Sequence, residues 1–140
     1  MTTKHVSFRM ESQVFERLEQ RRRQVGRRRP ELMNRYIDEG LRMEDHPGIV
    51  FRSGPAGRRP ALVDGPDVWE VIRVVRNVEE TGERAVDEAA RWLGLRRGQI
   101  EAALGYYAEY PAEIDDWLAR LDEHAERAHT AWRRRQSALA

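Results

Sequence analysis

Near its start the chain carries a six-residue alternation, His5-Val6-Ser7-Phe8-Arg9-Met10, followed at once by two short helical patterns that end by residue 45. Successive side chains of a strand point to opposite faces, so Val6, Phe8 and Met10 share one face and His5, Ser7 and Arg9 the other. After Ser12, which is placed to act as an N-cap, Val14, Phe15, Leu18 and Val25 recur at helical spacing up to Gly26. Pro30 then suits a first helical turn, and Leu32, Met33, Tyr36, Ile37 and Leu41 form a second apolar stripe. A segment this small cannot bury enough apolar surface to hold one conformation by itself. The pattern therefore predicts a unit that folds against a partner.

Charge is distributed unevenly. The formal net charge of the 140 residues is only +1. Residues 1–35 nevertheless hold ten basic and four acidic side chains, while residues 109–126 hold seven acids against Arg120 alone. The first stretch suits a polyanion and the second repels one. Lys4 is the only lysine, so the positive charge is almost all guanidinium, which forks onto phosphate and carboxylate.

The order strand, helix, helix over residues 3–44 resembles the ribbon-helix-helix DNA-binding family of the MetJ, Arc and CopG type. The resemblance implies that two copies pair their strands antiparallel over interlocked helices, and that the resulting ribbon enters the major groove. It makes His5, Ser7 and Arg9 the base-reading positions, with Arg9 suited to a bidentate contact to guanine. It also makes Arg27, Arg28 and Arg29, at the start of the second helix, the phosphate anchors. The chain differs from the usual pattern in having Arg29 where a capping Ser or Thr is common. Apart from the resemblance, a purely dimerising role for this segment remains open.

Asp45-His46-Pro47-Gly48 breaks the second helix and marks a boundary. Beyond it, Ile49–Arg52 and Arg59–Val63 flank the turn-rich Ser53-Gly54-Pro55-Ala56-Gly57 and predict a β-hairpin, with Pro60 confined to an edge or to a first strand residue. Three helices follow: one through Val68, Trp69, Val71, Ile72, Val75 and Val78, one ending at Gly94, and one ending before Pro111. The pair around Gly94 has the spacing of a helix-turn-helix. Arg96 and Arg97 could touch phosphate there, but Glu101 and Glu109 argue for packing or partner binding instead.

Residues 46–118, and above all the run from Ala102 to Asp115 (AALGYYAEYPAEID), resemble a domain found in VapB-type antitoxins. That resemblance implies a PIN-like ribonuclease toxin as a partner. Tyr106, Tyr107 and Tyr110 are expected to serve in core and rim packing.

Toward the end of the chain, Ile114, Leu118, Leu121, Ala125, Ala128 and Trp132 recur at steps of four and three, giving an apolar seam on one side of an acidic helix. Such a seam packs on its own domain, pairs with another copy, or lies in a groove of a partner. Ile114, Leu118, Leu121, Ala125 and Trp132 are the candidate partner-binding residues, and acidic faces beside them suit a basic, RNA-binding cleft. Arg133 to Ser137 should be solvated.

An enzyme is not expected. The chain has no cysteine, no phosphate-cradling glycine loop, and four scattered histidines. His124, Glu126 and His129 lack the spacing of a helical zinc motif, so neither a metal nor another cofactor is expected. No apolar run approaches a signal or membrane segment, and a cytoplasmic location is expected.

The whole reads as a mainly α protein with short β segments. Residues 1–45 would form a ribbon-helix-helix dimer, 46–118 a β-hairpin plus helical, helix-turn-helix-like domain, and 119–140 a long carboxy-terminal helix and tail. The expected function is an operator-binding repressor working as a homodimer or higher oligomer on double-stranded DNA, as the antitoxin of a toxin-antitoxin pair. The alternative is a stand-alone regulator whose second domain binds a ligand or mediates oligomerisation.

Overall fold

The computed structural model describes residues 2–140, and the chain divides into two compact units meeting at Arg42 and Met43. The first unit contains α1 (Ser12–Val25) and most of α2 (Arg29–Asp45). Gly26 closes α1 in the left-handed conformation, φ 66°, and its N–H donates to the Arg22 carbonyl at 2.9 Å. The Ser12 cap expected from the sequence is displaced by one residue: Glu11 occupies the N-cap position, and Ser12 is already helical.

Residues 2–11 form neither helix nor strand, so the expected strand at 5–10 is absent from the single chain. A strand exists through ladder hydrogen bonds to a neighbour, and the one sheet among the described residues pairs two other segments.

The second unit begins with those segments, β1 (Ile49–Gly54) and β2 (Gly57–Leu62), antiparallel from Ile49↔Leu62 to Gly54↔Gly57. The ladder extends further into the turn than the sequence suggested, leaving only Pro55 and Ala56 unpaired. Gly57, at φ 114°, permits that tight reversal. Pro60 lies mid-strand opposite Phe51, which is tolerated because both strands of a two-stranded sheet are edges.

Four helices follow: α3 (Val68–Asn77), α4 (Glu83–Leu93), α5 (Arg97–Glu109) and α6 (Pro111–Leu139). At the start of α3, the Asp67 N–H donates to the Glu70 carboxylate at 3.0 Å. The Asp67 carboxylate accepts from the Trp69 indole N–H at 2.9 Å and pairs with Arg59, tying the hairpin to the helix. Arg52 reinforces the same corner by donating to the carbonyls of Leu62, Val63 and Gly65 at 2.8–3.0 Å. α5 touches β1, β2, α3, α4 and α6 and so occupies the centre of the unit, with α3 packed against β2 and the other three helices.

The core joins Ile49 and Leu62 of the hairpin to Val71 and Ile72 of α3, Ala89 of α4, Ile100, Ala103 and Tyr106 of α5, and Ile114 and Leu118 of α6. α6 is one unbroken helix from Pro111, so no structural break separates residues 118 and 119. The Arg133–Ser137 stretch is helical and exposed. No helix of the described residues is long and apolar enough to cross a membrane.

Replacing Ile72 or Ile100 by Ala should destabilise the second unit by about 2–5 kcal/mol, because both side chains are fully enclosed and the cavity left behind adds to the lost burial. Denaturant titration followed by helical circular dichroism measures this.

Candidate nucleic-acid interface

The amino-terminal unit has a conspicuously small interior. Leu18 and Leu32 are its buried apolar side chains, whereas Val14, Phe15, Val25, Tyr36, Ile37 and Leu41 all stand open. The leading segment is exposed: Val6 and Phe8 at 71% and 60%, and His5, Ser7 and Arg9 with them. Val14, Leu18 and Tyr36 line an open groove of about 420 Å³, rimmed by Arg17 and Arg21. Apolar surface on this scale around so few buried residues is what a cut-open core looks like.

The three arginines before and at the start of α2 are not equivalent. Arg29 pairs with Glu19 of α1 at 2.6 Å and stacks over the Phe15 ring at 4.9 Å. It thereby clasps the two helices, so its guanidinium is already engaged where the sequence pointed to a phosphate contact. Arg28 pairs with Glu31 at 2.8 Å on the exposed surface, an exchangeable contact. Arg27 carries no ion pair among the described residues and is fully available.

Glu19 also pairs with Arg22 at 3.0 Å. Hydrogen bonds from Arg29 and then Arg22 hold its carboxyl below the usual carboxylate range, and the same bond raises the Arg29 guanidinium.

In the second unit the two arginines of the helix-turn-helix-like pair α4–α5 differ: Arg96, the N-cap of α5, is exposed, whereas Arg97 is engaged. Arg97 is surrounded by Glu83, Asp87 and Glu101, the last at 3.0 Å. Its charge is spent joining the two helices.

The tyrosines divide into core and rim. Tyr106 is fully enclosed, and its hydroxyl donates to Glu113 at 2.6 Å. The Tyr107 hydroxyl donates to Asp115 at 2.8 Å, and Arg76 binds both groups. The Tyr107 hydrogen bond and then Arg76 hold the Asp115 carboxyl below its ordinary range. Sequence reasoning missed His46, whose Nε2 lies 2.6 Å from Glu109 and whose ring meets Tyr106 and Tyr110 edge-on. Partners 63 residues apart leave no periodic signal.

Of the expected partner-binding residues, Ile114 and Leu118 are core side chains covered by their own unit. That removes them from any external surface. Leu121 is half-buried, and Ala125 and Trp132 are exposed.

No family model, curated protein or solved structure matches the chain.

The clasp sets a pH dependence for the first unit. A carboxyl with a lowered pKa in the folded state stabilises it above the unfolded value and loses that contribution as pH falls through the folded value. Glu19→Gln should therefore lower the melting temperature at neutral pH and weaken the acid-induced loss seen in the parent chain. Thermal melts across the acid range check both.

Proposed function

We propose that this chain is a DNA-binding transcriptional repressor that reads its operator as a homodimer. The observation that carries the reading is the apolar surface left open on the first unit: Val6 and Phe8 in the strandless leading segment, with Val14, Phe15, Tyr36, Ile37 and Leu41 on α1 and α2. A second copy covers these side chains and supplies the missing ladder for residues 5–10. The pairing closes the open strand edge and gathers the buried surface one copy lacks.

Antiparallel pairing of residues 5–10 turns His5, Ser7 and Arg9 of both copies to one outer face. A two-stranded ribbon of this kind fits the major groove, and Arg9 supplies a planar fork for the guanine O6/N7 pair. Arg27 at the mouth of α2, with Arg28 released from its surface partner, neutralises backbone phosphate beside the groove. Arg29 stays on Glu19 and sets the angle at which this anchor meets the duplex.

The antitoxin role implied by the resemblance extends this reading to a second partner, a PIN-like ribonuclease toxin. The exposed acids and apolar positions of α6 are its meeting surface, with Leu121, Ala125 and Trp132 as contacts. The acidic charge of the helix favours a basic cleft.

Mobility shifts on the chain's own promoter, with and without the adjacent gene product, test the whole reading. Arg9→Ala should cost about 1–3 kcal/mol on the operator and relax preference at one base position. Arg27→Ala should weaken operator and random DNA alike and flatten the salt dependence by about one phosphate contact. Equal losses on specific and random DNA for both variants would overturn the division into reader and anchor.

A further inference from the structure

Helix α4 packs through Ala85, Val86 and Ala89, yet Trp92 on its flank is 74% exposed and meets no ring or guanidinium among the described residues. Glu88, one helical turn before it, shares that flank. Both line an open groove of about 470 Å³. Its other wall is the last part of α3 and the residues just after it, with Val74 and Val78 half-buried and Glu79 and Glu80 exposed. The groove lies wholly within the second unit.

The groove is acidic, and the fold does not meet that charge from within. The Glu88 side chain is 25% exposed, and its ion-pair partner is Arg91 at 3.3 Å, itself 75% exposed. Such a pair exchanges readily. Glu79 and Glu80 have no ion pair among the described residues. Of the lining residues Arg73 alone is cationic, and it is held elsewhere, paired with Asp122 at 3.3 Å and stacked on the Trp69 ring at 5.0 Å. A largely covered carboxylate beside a bare indole and an apolar wall suits an organic cation. The carboxylate accepts N–H bonds, the indole face attracts the charge, and the valines cover the hydrocarbon body.

We propose that this groove binds a small organic cation, an ammonium or guanidinium carried on a compact apolar body. Glu88 accepts the N–H groups of the ligand in place of those of Arg91. Trp92 meets the charge with its ring, and Glu79 and Glu80 draw cations toward the mouth. The volume is that of a small-molecule site. Among the exposed large apolar side chains only Trp92 lines it, whereas a protein partner needs an extended patch. Three carboxylates around one groove disfavour an anion. Binding here does not depend on whether the first unit reads DNA.

The test uses the full chain, and NMR reads the indole N–H signals of its four tryptophans, that of Trp92 being the one absent from Trp92→Phe. Millimolar benzylamine and agmatine should each shift the Trp92 signal saturably. Benzyl alcohol, the neutral twin of benzylamine, should not. Glu88→Gln should weaken benzylamine binding roughly tenfold, because a charge-assisted hydrogen bond is lost. Glu79→Gln combined with Glu80→Gln should weaken it several-fold and reduce its sensitivity to salt. Those two side chains are on the surface, so this variant carries the test if Glu88→Gln disturbs α4. A Trp92 signal that neither cation moves, an equal response to benzyl alcohol, or a benzylamine affinity unchanged in both carboxylate variants would overturn the proposal.

Discussion

The first unit has more apolar side chains than it can cover, and the proposed dimer rests on that imbalance. Two leucines are enclosed, while a larger number of aliphatic and aromatic residues on the leading segment, α1 and α2 face water. Conformational entropy of ordering forty residues is not offset by so small an interior. In the proposed dimer a second copy covers the deficit without any new chemistry, and the polar face of its paired segments follows from strand alternation.

The second unit solves the same problem internally. α5 lies against both strands of the hairpin and the other three helices, and its Ile100, Ala103 and Tyr106 are fully enclosed. Ion pairs and hydrogen bonds stitch the outside: Arg59 and Trp69 on Asp67, Arg97 on Glu83, Asp87 and Glu101, Arg76 on Asp115. Most of these are partly exposed, so each adds modestly to stability.

This sorting of arginines separates the two units. A count of basic residues treats Arg27, Arg28, Arg29 and Arg97 alike. In the fold, Arg29 and Arg97 are structural clasps, Arg28 is loosely held, and Arg27 has no ion pair among the described residues. The proposed DNA surface is thereby narrower than the charge run suggests, and it lies on the first unit alone.

The helices, the hairpin and the breaks at Gly26, Gly94 and Pro111 were legible because they rest on local rules: apolar period, left-handed glycine caps and proline geometry. The seam from Ile114 to Trp132 was legible for the same reason, but its division was not. Periodicity says which side of a helix is apolar and cannot say where the neighbouring elements stop. Only the packing of α3 and α5 decides that Ile114 and Leu118 are enclosed while Ala125 and Trp132 remain open. The Glu19–Arg29 clasp, the His46–Glu109 contact and the fate of residues 5–10 belong to the same class. Each depends on groups distant in the chain, or in another chain, coming within reach, and alternation or charge along one segment carries no information about that distance.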